Sequence, residues 1–576
     1  MDTSAQPAAL GQSRRTDGKH ILGIDLGTTN SLAAAWVNGE TVLIPNAIGD
    51  SLTPSAVSEL PDGSLMTGLA ARERLSTHPS YTATAFKRWM GTAKTLDMGS
   101  HSFRAEVLSA QMLSALRADA QVYLGGSVTQ VVVTVPAYFN ADQRHATKAA
   151  AQMAGFEHVH LLNEPTAAGL AYGLQTRQEL NTFLVFDLGG GTFDVSILEY
   201  FEGVIQVRAS AGDTRLGGED FVNAMAALVS DKAGLTSAGE VLPVPEQLWY
   251  VFESAKRALS SQDSVEVPLG KGKAVCITRS EFEAACEPLL KRLYAPMERA
   301  LRDAQISPDE LDEVVLVGGA TRMPMIRHLL ARLFQKLPLR TINPDETVAR
   351  GAAVYAGLLA NDEALQDVVL TDVMPYTLGI VTTRDRVGDV FTPIIERNTP
   401  VPVSAQKRFR AQTVTQTQVE IDIRQGESPF GSDNLAVGKL TVPLGMAYEA
   451  GREFDVRFSY DINGLLEVEV MVEATGRTLN HVFQLGANQL TAAEVVSIRE
   501  NLARIKRAPR QSEESAYLLA RGKRVFEETL GSDRDLIGEA LLRLDRAVTQ
   551  LDLRETARAQ TMLRQVLDYL DKGFRL

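Results

Sequence analysis

Cysteine is almost missing from this chain: 576 residues hold two, Cys276 and Cys286. Two thiols build neither a disulfide framework nor a four-cysteine zinc site. They suit a reducing compartment, so a cytoplasmic location is expected. Long apolar runs are missing too. No stretch approaches the roughly 20 apolar residues of a membrane-spanning helix, and no membrane association is expected. A basic excess is also absent: 58 Lys and Arg stand against 71 Asp and Glu, for a net charge of -13 and a pI near 5.3. Without a basic stripe, nucleic acid is not an expected partner. Residues 1–19 lack the apolar core, about 7–15 residues long, of a secretory signal. Arg14-Arg15 would open a twin-arginine signal, but the apolar run that follows is only a short strand at Ile21. The segment reads as a disordered tail.

What remains is the composition of a globular protein, 45% hydrophobic and 22% charged. Its length allows about two to four domains with full cores. One stretch organises the rest. Residues 183–198 read FLVFDLGGGTFDVSIL. An apolar run ends in Asp187; Gly189, Gly190, Gly191 and Thr192 follow, then a second carboxylate, Asp194. An apolar run bounded by such a turn reads as a buried strand with a hairpin partner. Glycines let backbone N–H groups approach an anion, because no Cβ stands in the way. Carboxylates beside that anion hole make sense when a cation sits there as well. The stretch therefore suggests a magnesium–nucleotide phosphate site, while an ordinary Gly-rich hairpin accounts for the glycines alone equally well. Residues 21–36, ILGIDLGTTNSLAAAW, repeat the pattern. Asp25 falls on Asp187, Gly27 on Gly189, and Thr28, Thr29 and Asn30 on Gly190, Gly191 and Thr192. Two such hairpins imply two related lobes, each offering a phosphate loop to a shared cleft.

Around the hairpins the chain alternates strands and helices. Lys87 sits in TATAFKRWM, and a lone lysine there reads as a solvated group. TQVVVTVP is an apolar strand ending at Pro136, and a helix with Arg144 follows. LLNEPTAAGLAYG puts Glu164 at a strand's carboxyl end, where it serves equally as a helix cap or as a catalytic group. GDTRLGGEDF opens another helix. In ESAKRALS, Glu253, Lys256, Arg257 and Ser260 share one side of a helix, a spacing usual for a solvated face. VVLVGGATRMP is a buried strand followed by Gly318, Gly319 and Arg322; a turn with Asp345 then leads into a small-residue helix suited to close packing. DVVLTD reads as a linker whose aliphatics dock somewhere. From residue 373 to about 485 strands alternate, as in Val419, Ile421 and Ile423, giving an antiparallel β domain with one buried face. From residue 491 onward helices dominate, with an expected apolar stripe of Leu536, Leu541, Leu542, Leu544, Val548 and Leu551.

The collinear set GIDLGTTNS, FKR, VPAYFN, NEPTAAGLAYG, FDLGGGTFD, LGGEDF, ESAKRALS, LVGGATRMP and NPDETVARGAAV resembles the seventy-kilodalton heat-shock chaperones, strongly over residues 20–482 and more loosely beyond. The resemblance implies a multidomain chain: an α/β actin-like, ribonuclease-H-like two-lobed ATPase, an antiparallel β-sandwich, and an α-helical lid. The expected boundaries are a tail at 1–19, the nucleotide-binding domain at 20–362, a linker at 363–372, the β-sandwich at 373–488 and the lid at 489–576. It implies ATP and Mg2+ as cofactors and leaves room for K+. Asp25 and Asp187 correspond to the metal-side carboxylates, reaching the ion largely through waters. Lys87, Glu164, Asp187, Thr192 and Asp194 correspond to the catalytic set. Gly27–Asn30 and Gly189–Thr192 correspond to the phosphate loops; Glu253, Lys256, Arg257, Ser260, Gly318, Gly319, Arg322 and Asp345 to the adenosine clamp. Pro136, Arg144 and Glu164, with Asp372 in the linker, correspond to an allosteric relay. Ile380, Phe409, Val419 and Ile421 correspond to an apolar cleft for an extended peptide. The implied activity is ATP hydrolysis coupled to capture and release of hydrophobic client segments. A J-domain co-chaperone is the implied partner, and the need for a nucleotide-exchange factor is left open.

The sequence also departs from that family. The segment between Lys87 and Ala105 is short, and residues 271–275 look like a trimmed hairpin. Thr371 stands where Leu is usual, and His160 where many members carry an Arg that meets the J-domain partner. Thr383 and Gln412 are polar where apolar groups usually arch over the peptide. Together these resemble a specialised bacterial, HscC-like branch. The competing readings are an actin-like small-molecule kinase and a nucleotide-gated binding module without turnover; the linker and β domain argue against the first, the filled catalytic positions against the second.

Overall fold

The computed structural model describes residues 20–176, 181–201, 203–234, 246–270, 273–339, 342–365, 368–384, 388–411, 416–444, 453–461, 464–473, 475–484, 518–519, 521–523, 525–526, 529, 531–549 and 553–573. The tail expected at 1–19, residues 271 and 272 of the expected trimmed hairpin, Gln412, Leu551 and the helices expected over 491–517 lie outside these residues. The chain forms two compact units, Met1–Thr371 and Asp372–Leu576.

In the first unit the two hairpins seed two sheets of the same plan. Strand Ile21–Asp25 pairs antiparallel with Asn30–Val37 and parallel with Gln130–Val135. Strand Asn181–Leu188 pairs antiparallel with Phe193–Phe201 and parallel with Glu313–Val317. The registers agree as well: Asp25 faces Leu32, and Asp187 faces Asp194. The second acid of one hairpin is thus a leucine in the other. His158–Asn163, Glu40–Ile44 and the short strand Thr53–Pro54 complete the first sheet, and Val204–Asp213 extends the second. At its edge Val369, Leu370 and Thr371 pair in parallel with Val204, Ile205 and Gln206, so the aliphatic segment does dock, and Thr371 takes part. The strand cores are aliphatic and fully buried, as expected where helices cover both faces.

Two helices lie between the sheets. Glu164–Thr176 packs on the second sheet and Thr347–Leu359 on the first, and they pack on each other. The Ala- and Gly-rich composition read from the sequence is what permits this. A Cβ on Gly351 would fall on the Ala167 carbonyl, so the helix axes approach as closely as backbone allows. Outside the first sheet, the helices Ala105–Leu124 and Ala141–Met153 close a core with Phe86, Met90 and Val131.

The second unit holds two four-stranded antiparallel sheets. One runs Gly388–Ile395, Leu378–Arg384, Gln418–Gln425, Leu435–Pro443; the other Val403–Arg410, Glu453–Tyr460, Leu465–Val472, Arg477–Gln484. Two helices, Ser532–Thr549 and Leu553–Gly573, pack as a pair. Their core face differs from the expected stripe. Ile537, Ala540 and Leu544 are buried against Ala559, Leu563 and Leu567, while Leu536 and Leu542 are 41% and 67% exposed. Leu544 and Leu541 of the expected stripe do join this core, whereas Leu536 and Leu542 do not, and Ala540 and Ala559 take part in their stead.

Candidate functional site

Between the sheets of the first unit lies a cleft of about 320 Å³, and both hairpin turns face it. The turns nearly touch: a Cβ on Gly190 would fall on the Thr29 hydroxyl. Their carbonyls are engaged by neighbours. Gly27 O accepts from Ser55 Oγ at 2.8 Å, Thr29 O from Ser55 N at 2.8 Å, Gly189 O from Gly218 N at 2.9 Å and Gly190 O from Glu219 N at 2.8 Å. Engaged carbonyls repel an anion less than bare ones; of the N–H groups, that of Gly189 is itself engaged by Thr192 O at 3.1 Å.

Lys87 is not a solvated group. Ala85, with φ 52°, turns the chain into the short helix Phe86–Trp89, where buried Phe86 anchors the segment. Lys87 is 4% exposed and donates from Nζ to Glu164 Oε1 at 2.7 Å, with the Phe139 ring 5.7 Å away. Glu164 opens its helix at the end of strand His158–Asn163, so it is both the first helical residue and an ion-pair partner. Three more buried carboxylates stand nearby. Burial and the charge of Glu164 push Asp25 up to about 7, opposed by Lys87 and by the Thr134 hydroxyl at 3.2 Å. Burial, then Glu164, Asp194 and Asp25, hold Asp187 well above the usual carboxylate range. Burial and Glu164 push Asp194 up to about 8. Among the described residues no three Asp, Glu, His or Cys side chains close into a ready-made metal cage. Hard oxygen donors around an open cavity fit a magnesium ion that keeps most of its waters, and such a charge would relieve the crowding.

At the other end of the cleft, Glu253, Lys256 and Arg257 on helix Glu246–Ala258 and Ser260 in the turn after it line the wall, with Gly318, Gly319, Arg322 and Asp345 opposite. Glu253 is 3% exposed and Lys256 is half-buried, so the solvated-face reading fails for these two and holds for Arg257, which is exposed. Arg322 is held by Asp345 at 2.5 Å and Asn343 at 2.8 Å. Lys256 donates to Gly218 O at 3.0 Å, and burial lowers its pKa. Gly27, Thr28, Thr29, Asn30, Asp25, Lys87, Glu164, Asp187, Gly189, Gly190 and Thr192 also line the cleft. Gly191 and Asp194 stand behind the lining: Gly191 O accepts from Arg88, and Asp194 Oδ1 accepts from Tyr138 N at 3.3 Å. Pro136 opens the turn after strand Gln130–Val135, and Arg144, on the helix Ala141–Met153 that follows, bonds Ala137 O and Phe139 O in that turn and the Asn163 side chain beside Glu164. Several site residues escape sequence reasoning. Arg72 reaches from helix Gly68–Thr77 to Glu253 at 2.8 Å, and Arg88 to Asp220 at 2.7 Å. Glu219 lines the cleft and is pushed up to about 7 by burial. LGGEDF was a visible signal for Glu219 and Asp220; nothing in the sequence flags Arg72.

The profile of the Hsp70 protein family matches residues 21–98 and 92–557 of this chain. The protein belongs to the Hsp70 family. Membership places it among molecular chaperones, a family whose members bind ATP with Mg2+. The two matched stretches meet at residues 92–98, within the segment between Lys87 and Ala105 that reads as short.

In this Hsp70 the four residues expected to bind peptide divide between two sheets. Ile380 and Ile421 are buried, Val419 is half-buried, and all three lie on one sheet, where Ile380 faces Ile423. Phe409 lies on the other sheet, stacked on Phe454 at 6.0 Å. Thr383 is exposed and donates to Asp389. Asp372 opens the second unit and pairs with Val401. No helix among the described residues is long and apolar enough to cross a membrane.

Proposed function

We propose that this Hsp70 hydrolyses ATP in the cleft and uses the cycle to capture and release extended apolar segments of unfolded proteins. The observation that carries the reading is the buried Lys87–Glu164 pair, set among Asp25, Asp187 and Asp194 between two Gly-rich turns. That arrangement combines a fixed cation, an anion cradle and crowded carboxylates, as phosphoryl transfer by positioning and electrostatics requires. In this reading the turn N–H groups and Lys87 bind the phosphates, and Lys87 neutralises charge on the transferring group. Asp25 and Asp187 would hold Mg2+ through waters, where it supplies further neutralisation of the phosphates. Thr192, Glu164 and Asp194 orient the attacking water. Glu253, Lys256 and Ser260 bind the ribose side of the nucleotide, and the flat Arg322 guanidinium covers the base.

Coupling follows from connectivity. Asn163 ties the Arg144 turn to Glu164, and the docked Val369–Leu370–Thr371 segment leads to the peptide-binding sheets. In our reading the two sheets of the first unit are the lobes of an actin-like ATPase, and the terminal helices act as a lid over the peptide cleft. His160 is half-buried, and burial lowers its pKa, so at neutral pH it does not replace a permanent guanidinium for a J-domain partner. That, the short 88–104 segment and Thr371 favour the specialised HscC-like branch. The test is steady-state hydrolysis by the full chain with and without a hydrophobic peptide. Magnesium-dependent ADP formation that rises with peptide supports the reading; ADP formation that requires a small hydroxyl or carboxylate acceptor overturns it in favour of a kinase.

A further inference from the structure

We propose that Arg299 is a positioning residue for hydrolysis, holding Asp194 in place through Tyr138. The inference rests on the ATPase reading above and adds an element to it. Asp194 stands on strand Phe193–Phe201 of the second sheet and is 2% exposed. Its Oδ1 accepts from the backbone N–H of Tyr138, 3.3 Å away, in the turn that follows strand Gln130–Val135 of the first sheet. This hydrogen bond therefore spans the two sheets, and its length depends on where the turn sits.

Two arginines grip the turn from opposite sides. Arg144, on helix Ala141–Met153 of the first sheet, bonds Ala137 O at 3.1 Å and Phe139 O at 3.0 Å, flanking Tyr138. Arg299 comes from helix Glu287–Ala304 and donates from Nη1 to the Tyr138 hydroxyl at 3.2 Å. That helix packs on Phe193–Phe201, which carries Asp194, and on Val204–Asp213, whose edge receives Val369, Leu370 and Thr371. One helix thus touches the strand of the catalytic carboxylate, the strand that receives the linker segment, and the tyrosine that holds the carboxylate from across the cleft. Tyr138 is 6% exposed, and a buried phenol is fixed by the partners of its hydroxyl. Arg144 anchors the turn to the first sheet whatever the second sheet does. Arg299 makes it follow the second sheet as well, so the Tyr138–Asp194 distance is kept when the sheets shift.

The experiment is single-turnover ATP hydrolysis by the full chain carrying Arg299→Ala, Arg299→Lys, Tyr138→Phe or Arg299→Ala with Tyr138→Phe. Arg299 is exposed on its helix, so its replacement is expected to leave the fold intact, which a thermal melt verifies. Arg299→Ala and Tyr138→Phe each lower the hydrolysis rate about fivefold with unchanged affinity for ATP, a loss of about 1 kcal/mol in the barrier. The double variant is no slower than either single one, and Arg299→Lys recovers part of the rate because an ammonium also donates. A wild-type rate in Arg299→Ala, losses that multiply in the double variant, or a loss expressed only in ATP affinity each overturn the proposal. A wild-type chain that does not hydrolyse ATP overturns instead the functional reading on which it rests.

Discussion

Replacing Lys87 by alanine should damage this protein in two separable ways. Lys87 is 4% exposed and Glu164 is 7% exposed, and their charged atoms are 2.7 Å apart. Removing one partner of such a buried pair leaves the other charge without compensation, a loss on the order of 3–5 kcal/mol. The neighbours make it worse, because Lys87 is one of the groups that lower the pKa of Asp25, Asp187 and Asp194. Urea unfolding of the nucleotide-free protein should therefore show Lys87→Ala less stable by about 3 kcal/mol, and Lys87→Ala with Glu164→Gln restored by more than half, since a neutral amide needs no counter-ion. Hydrolysis should behave differently. A preorganised donor aimed at developing charge is worth roughly 10²–10³ in rate, and neutralising Glu164 does not replace it. Single-turnover hydrolysis should thus fall by about that factor in Lys87→Ala and by at least as much in the double variant, which also loses the Glu164 carboxylate. If Lys87→Ala hydrolyses within about twofold of wild type, the catalytic assignment is wrong. If Glu164→Gln fails to rescue the stability of Lys87→Ala, the buried pair is not what Lys87 contributes to folding.

Other outcomes follow from the same geometry. Asp25, Asp194 and Glu219 titrate at about 7, 8 and 7 in the folded chain, against roughly 4 unfolded. A raised acid contributes stability below its unfolded pKa and loses it as pH rises through the folded one. Nucleotide-free protein should therefore unfold in less urea at pH 8.5 than at pH 5.5, by at least about 1.4 kcal/mol, the value of one pKa unit, and magnesium with ADP should shrink the gap; equal midpoints would contradict the burial argument. Arg72→Ala removes a cross-cleft bond to Glu253 that is 14% and 3% exposed at its two ends, and should speed release of a fluorescent ADP analogue several-fold in stopped flow. Gly351→Ala drives a methyl into the Ala167 carbonyl and should cost about 3 kcal/mol in urea unfolding, with hydrolysis lost in proportion to unfolded protein.

Local chemistry was legible where period and turn residues decide it. The doubled hairpin could be laid out from residues 21–36 and 183–198 alone, and the structure gives both the same seven-residue register between facing positions, Asp25 with Leu32 and Asp187 with Asp194. The small-residue helix at Thr347–Leu359 was legible for the same reason, since glycine weakens a helix and is kept there where a neighbour's backbone comes close, as Ala167 does at Gly351. The helix pair at the end of the second unit was legible only in part, because a list of leucines passes over buried alanines: Ala540 and Ala559 are fully buried beside Leu544, Leu563 and Leu567, and Leu542 is outside.

The cleft shows a sharper limit. Spacing on a helix tells which side chains share a face but not what that face meets, so Glu253, Lys256 and Arg257 looked like a solvated row. Glu253 is instead buried against Arg72 from 181 residues away, and Lys256 against the Gly218 carbonyl, while Arg257 stays exposed beside Glu253. Glu164 looked like either a cap or a catalyst because the alternatives share one position. The first residue of a helix at the end of a buried strand is pointed at the sheet edge by its backbone, and there a lysine 77 residues earlier in the chain finds it. Partners at such separations leave no trace in local pattern, since each is chosen by the path of the chain between them. The same holds for Tyr138 and Arg299, separated by 161 residues and joined by one hydroxyl. A site that works by charge placement is therefore assembled by its fold, and the sequence displays only those pieces whose own neighbours, glycines above all, had to change to make room.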